Sequence, residues 1–267
     1  MFDAIAGLDP TTILCGIIWS IALGFAAGNY ACSLVHRLPR GRLILDKKPY
    51  CGSCGAPLQV RDLFPVFSAL MLRHRCRYCH TPYPVSHTWT EILVGLLFVL
   101  AFLQYNFSEQ YLLIVCIGIF LITLAAIHAN EGVIMGKIML CIAVFGLLLR
   151  TLQDHTLYEA LEGGFYALII GAILWRKQIK PVGHIYTLPK PVELFVIGGL
   201  CVGIKLLPQF IVLAAGFYVV DWLIRKIAHA KNPPLITVAF GLAAIILVLY
   251  PKLSLYSTVT DFARFLG

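Results

Sequence analysis

The sequence predicts an all-α polytopic membrane protein with about eight transmembrane helices, and three observations lead there. Of its 267 residues 60% are hydrophobic and 13% charged, with a mean hydropathy of +0.85. That is more apolar side chain than one soluble core of this size hides. The apolar residues come in long uninterrupted runs, and a helix needs about 20 of them to cross roughly 30 Å of hydrocarbon. The Lys and Arg residues fall between the runs, so the formal net charge of +8 reports orientation in lipid rather than a nucleic-acid partner.

Reading for runs bounded by charge, Pro or Gly places spans near 11–35, 88–104, 110–129, 133–151, 157–175, 192–207, 208–224 and 235–251. Residues 192–224 are divided in two because Lys205 and Pro208 interrupt a stretch too long for one crossing. All but four of the 21 Lys and Arg lie in or at the edge of the loops after spans 1, 3, 5 and 7, the exceptions being Arg150, Lys205, Lys252 and Arg264. The positive-inside rule then puts both termini outside, in the periplasm of a bacterial inner membrane, and residues 36–87 in the cytoplasm. The expected organisation is a first transmembrane helix (1–35), a cytoplasmic loop domain (36–87) and a seven-helix membrane domain (88–267). Residues 1–10 carry two Asp and no Lys or Arg, so no cleavable signal is expected there. Glu162 and Asp221, near span ends, read as structural or interfacial acids.

Five of the nine cysteines, Cys15, Cys32, Cys116, Cys141 and Cys201, sit singly in apolar runs as small hydrophobes. The other four form two C-x-x-C pairs, Cys51 with Cys54 and Cys76 with Cys79, in the one large loop. Two thiolates from each tight turn suit tetrahedral zinc, and a reducing compartment disfavours the disulfide alternative. His74 and His80 stand close enough in sequence to replace a cysteine ligand. The loop after the first helix is therefore expected to bind zinc.

From here the chain resembles the prepilin leader peptidase/N-methyltransferases, inner-membrane enzymes of type IV pilus and type II secretion systems. In that family a first span ending Gly-Ser-Phe-x-Asn and His/Tyr-Arg-Leu-Pro leads into the loop. Here the stretch reads Gly28-Asn29-Tyr30-Ala31-Cys32 and then His36-Arg37-Leu38-Pro39. The order continues through Cys51 and Cys54, Asp62-Leu63-Phe64-Pro65, Cys76-Arg77-Tyr78-Cys79 and Thr90-Glu91-Ile92-Leu93, and Lys231-Asn232-Pro233-Pro234 leads into span 8.

The resemblance implies a membrane aspartyl protease, in which two aspartates share protons so that one activates water and the other polarises the scissile carbonyl. At the end of span 3 the first aspartate's position holds His128. Counting back eight residues from Gly199 of Gly199-Leu200-Cys201-Val202-Gly203, the second position holds Pro191, within Leu188-Pro189-Lys190-Pro191 rather than a Gly-x-Gly-Asp turn. Glu131 and Glu193 are possible substitutes. His128 with Glu131 and Glu193 would also be a possible metal cluster, against a plain interfacial histidine.

With both aspartates absent, the resemblance leaves methyl transfer from S-adenosylmethionine to the new N-terminal amine of a processed prepilin or pseudopilin. Asp62 and Glu91 are the candidate acids to orient the donor or accept the amine proton, against structural roles as turn and helix-start acids. The alternatives are a non-catalytic prepilin-binding protein, using helices brought close at Gly198, Gly199 and Gly203, and a peptidase working with non-standard acids. Whether the chain is an enzyme is left open at this point.

Overall fold

A computed structural model of the chain describes residues 7–41, 54–56, 75–82, 86–154, 157–178, 180–182, 185–187, 189–227 and 235–250. Among the described residues there are eight α-helices: α1 (Pro10–Arg37), α2 (Ser86–Tyr105), α3 (Glu109–Glu131), α4 (Gly136–Asp154), α5 (Tyr158–Leu174), α6 (Lys190–Val202), α7 (Leu207–Ile227) and α8 (Ile236–Leu249). Each falls on one of the apolar runs. Five helical stretches, Pro10–Arg40, His87–Tyr105, Glu109–Glu131, Gly136–Gln153 and Ile204–Ile227, are long and apolar enough to cross a membrane. Helices α5, α6 and α8 have 17, 13 and 14 residues. At 1.5 Å per residue α6 reaches about 20 Å, short of the ~30 Å hydrocarbon layer. Eight crossings were expected from the sequence; among the described residues five helices are long and apolar enough for one.

Local chemistry sets the helix ends. Pro10 occupies the first turn of α1, where its missing N–H costs nothing. Ser108 caps α3 by accepting from the Tyr111 amide at 3.3 Å, and Gly132, at φ 69°, closes its other end with an amide bond to the His128 carbonyl. The break between α6 and α7 comes at Gly203 (φ 75°), followed by a 3-10 turn over Ile204–Leu206. Pro208 therefore sits in the first turn of α7 rather than in the connection. Between α5 and α6 the chain forms a small antiparallel hairpin, Lys180–Val182 against Ile185–Thr187, in register Lys180 with Thr187.

The chain divides into two compact units, residues 1–111 with 118–133, and residues 112–117 with 134–267. In the first, α1 lies against α2 along a ridge of small residues, Gly16, Ser20, Gly24 and Gly28, spaced four apart on one helix face. A methyl group on Gly24 would come within 2.8 Å of the Gly95 backbone and one on Gly28 within 2.9 Å of the Glu91 Cα. Phe98 and Phe107 meet Tyr111 edge-on, at 6.1 and 5.2 Å between ring centroids.

In the second unit α6 is the central element, with α4, α5, α7 and α8 packed on it. Gly163 and Gly164 of α5 admit Gly199 and Leu200 of α6, and Gly146 of α4 admits Cys201. Phe195, Phe210 and Phe240 join α6, α7 and α8 at centroid distances of 5.5–5.8 Å, with Trp175 edge-on to Phe240. Arg150 is buried and donates to the last carbonyls of α6, through Nε to Cys201 O at 2.9 Å and through a terminal nitrogen to Val202 O. It thereby satisfies helix-end acceptors that have no partner within the helix. Asp221 pairs with Arg225 at 3.0 Å and accepts from the Leu235 amide at 2.7 Å, fixing the start of α8; its role is structural, as the sequence suggested.

Large apolar side chains remain on the outside, among them Trp19, Leu140, Phe165 and Val219. Such a surface suits lipid rather than water. With the five long apolar helices, it makes this a membrane protein.

Candidate functional site

The cysteine cluster is the most local of the sites. Cys76-Arg77-Tyr78-Cys79 forms a tight turn held by three contacts: the Cys76 amide to Thr81 O and the His80 amide to Cys76 O, each at 3.0 Å, and a bridge between Arg75 and Pro82. His80 takes φ 55° and Gly55 φ 71°, the left-handed backbone that turns of this kind need and that Gly adopts without strain. The Tyr78 amide points at Cys76 Sγ at 3.4 Å, and Cys79 Sγ contacts Thr81 Oγ1 at 3.2 Å. The Thr81 hydroxyl beside it pulls the Cys79 thiol down to about 6.

The donor atoms of Cys54, Cys76 and Cys79 lie within 4.8 Å of one another. Sulfurs around a tetrahedral ion with 2.3 Å bonds sit about 3.8 Å apart, so these three residues fit a metal ion. Cys51, the fourth expected ligand, and Asp62 lie outside the described residues, as does His74. His80 is described but is not one of the grouped ligands.

A second constellation gathers in the first unit where α1 ends and α2 and α3 carry their polar termini. Arg40, in the 3-10 turn after α1, donates to the His36 carbonyl at 2.7 Å and to Glu131 at 2.9 Å. His36 meets His87 with Nε2 atoms 2.5 Å apart. Cys32 Sγ lies 3.4 Å from the His87 carbonyl. His128 is half-buried one turn before the end of α3 and Glu91 is half-buried in α2, opposite Gly28. Sequence reasoning treated His36 only as part of a motif and passed over His87. The pair is 51 residues apart, and nothing in either local pattern announces it.

In the second unit Pro191 occupies the first turn of α6, with Pro189 at the N-cap. Glu193 is half-buried and bonded to Lys190 at 2.7 Å. The two substitute acids suggested by the sequence are thus each engaged by a cation of their own unit, Glu131 by Arg40 and Glu193 by Lys190. The close-approach glycines are also occupied by the chain itself: Phe210 fills the space over Gly198, Gly163 that over Gly199, and Arg150 with the Glu159 backbone that over Gly203. The close approach expected at these three glycines is thus present within the second unit. Close packing of small residues is satisfied internally.

Comparison with known proteins places these features. The family model described as the bacterial peptidase A24 N-terminal domain matches residues 22–105, the stretch holding the end of α1, the cysteine cluster and α2. Proteins named prepilin leader peptidase/N-methyltransferase are similar over longer stretches. The one from Myxococcus xanthus is 26% identical over 44% of this chain and 35% of its own length. That of Neisseria gonorrhoeae is 25% identical over 68% and 64%, and that of Vibrio cholerae 22% identical over 79% and 87%. The chain thus spans less than two thirds of the first two relatives. No solved structure gives a significant match. Over residues 22–105 the chain thus matches the bacterial peptidase A24 N-terminal domain, and over longer stretches it is similar to prepilin leader peptidase/N-methyltransferases.

Proposed function

We propose that this chain is a divergent member of the family that receives processed type IV pilin or type II secretion pseudopilin subunits in the bacterial inner membrane, no longer cleaves their leaders, and transfers a methyl group from S-adenosylmethionine to the subunit's N-terminal amine. The observation that carries the reading is the state of the peptidase positions. His128 and Pro191 stand where the family's aspartates are expected, and the nearest acids are bound to Arg40 and Lys190. A proton-sharing pair needs two carboxyls facing one water. Carboxylates already committed to separate cations are poor material for it.

Methyl transfer asks less of side chains. The amine must be neutral, aligned with the sulfonium methyl and shielded from water. Glu91, in the first half of α2, and Asp62 are the acids assigned to orient the cationic donor or take the amine proton. Zinc, held by Cys54, Cys76 and Cys79 with Cys51, would cross-link a loop too small for its own core and give that pocket a wall. The match over residues 22–105 supports this, because it covers the loop and the start of α2 and ends before His128.

The test is direct. A processed pilin with a free N-terminal amine, incubated with the purified protein and isotopically labelled S-adenosylmethionine, should gain one labelled methyl group by mass spectrometry, and Glu91→Gln should reduce that gain. An unmethylated product under conditions where an intact family member methylates would remove methyl transfer from the account.

A further inference from the structure

The contact between His36 and His87 has no place in the chemistry above. Ring centroids 4.6 Å apart with Nε2 atoms at 2.5 Å put the imidazoles tip to tip rather than stacked. One ring rises from the last turn of α1 and the other from the first turn of α2, the two helix ends between which residues 38–85 leave and return. Both side chains are open to solvent at least in part. Two neutral imidazoles whose nitrogens converge on one point form half of a transition-metal site. Glu131 is the acid within electrostatic reach of His36, and the guanidinium of Arg40 bridges it to the His36 carbonyl.

We propose that His36 and His87, with Glu131 as third ligand, form a second metal site for a borderline divalent ion such as Zn²⁺ or Cu²⁺, separate from the cysteine cluster. Nitrogens bound at 2.0–2.1 Å in a tetrahedral shell stand about 3.3 Å apart, so the rings need to separate by less than 1 Å. Glu131 needs to leave Arg40, and an exposed ion pair with side chains 48% and 34% accessible holds its partners weakly. The ion would join the two helix ends from which residues 38–85 leave and return. This site does not depend on what the chain does to a pilin.

The full-length protein in detergent, loaded with one equivalent of zinc to fill the cysteine site, is titrated with Cu²⁺ and followed by electron paramagnetic resonance. Wild type should show couplings from two imidazole nitrogens. His36→Gln and His87→Gln should each weaken Cu²⁺ binding at least tenfold, while in a separate cobalt-loaded preparation the cysteine site of each variant keeps its thiolate charge-transfer band. Glu131→Gln should weaken binding severalfold, and Arg40→Gln, which frees Glu131 and removes a competing cation, should tighten it. A purely structural contact gives no such gain. If the histidine variants do not fold, the wild-type spectrum decides: a spectrum without imidazole nitrogens, or Cu²⁺ affinity indifferent to Arg40→Gln, overturns the proposal.

Discussion

Arg40 and Glu131, 91 residues apart in sequence, are joined at 2.9 Å where α3 ends. The pair is solvent-exposed, so its attraction is screened, and in chelator-treated protein Glu131→Gln should change stability by about 1 kcal/mol or less. Chemical denaturation in detergent measures this. A loss several times larger would mean the pair organises the end of α3.

Gly163 and Gly199 are a harder constraint. A methyl group on either would lie 2.6 Å from the other's carbonyl oxygen, and backbone cannot step aside as a side-chain tip can. Gly163→Ala or Gly199→Ala should destabilise the second unit by about 1–3 kcal/mol or more. Gly216, with nothing within 4 Å, is the control: its Ala variant should be neutral or stabilising by up to about 1 kcal/mol. Equal melting temperatures for all three variants would contradict the packing described.

Arg150 anchors the end of α6 through the carbonyls of Cys201 and Val202. Arg150→Met should cost about 2–4 kcal/mol, since each charge-assisted bond contributes roughly 1.5–3 kcal/mol and its acceptors are left without a donor. Arg150→Lys should recover only part of that, having one ammonium where the guanidinium reaches two carbonyls. Thermal unfolding of the two variants separates lost bonding from lost charge.

Cys76 is buried and its sulfur faces the Tyr78 amide. Cys76→Ser should abolish zinc at the thiolate site and remove a stabilisation on the order of 10 kcal/mol from the loop. Elemental analysis reads the metal, and faster tryptic cleavage after Arg75 and Arg77 reads the loop. Unchanged zinc content would refute the assignment.

The helices were legible because charge, Pro and Gly bound each apolar run, and a run of that length has few alternatives to helix. Their ends were less so. The break after α6 was assigned to Lys205 and Pro208, but Gly203, at φ 75°, makes the turn and Pro208 opens the next helix. The cluster of Cys54, Cys76 and Cys79 was legible because these cysteines come from short spacings within one loop. His36 with His87, Arg40 with Glu131 and Arg150 with the end of α6 were not. Each joins distant segments, and the small-residue ridges that bring the helices together do not say which polar ends will meet. Asp221 was read as structural from its place near a span end, yet its partner, the Leu235 amide, is visible only in the fold.

The function proposed above rests on a relative of the prepilin leader peptidases that has lost the means of cutting peptide bonds. Restoring the two acids alone should not bring cutting back, since Pro189 and Pro191 replace the glycine turn that would present the second one. Purified wild-type protein and the His128→Asp, Pro191→Asp double variant are incubated with a full-length prepilin, and leader removal is read by mass spectrometry beside an intact family member. The account predicts an uncut prepilin with both proteins. Leader removal by the wild type, abolished by Glu131→Gln or Glu193→Gln, would contradict it and return hydrolysis to this chain.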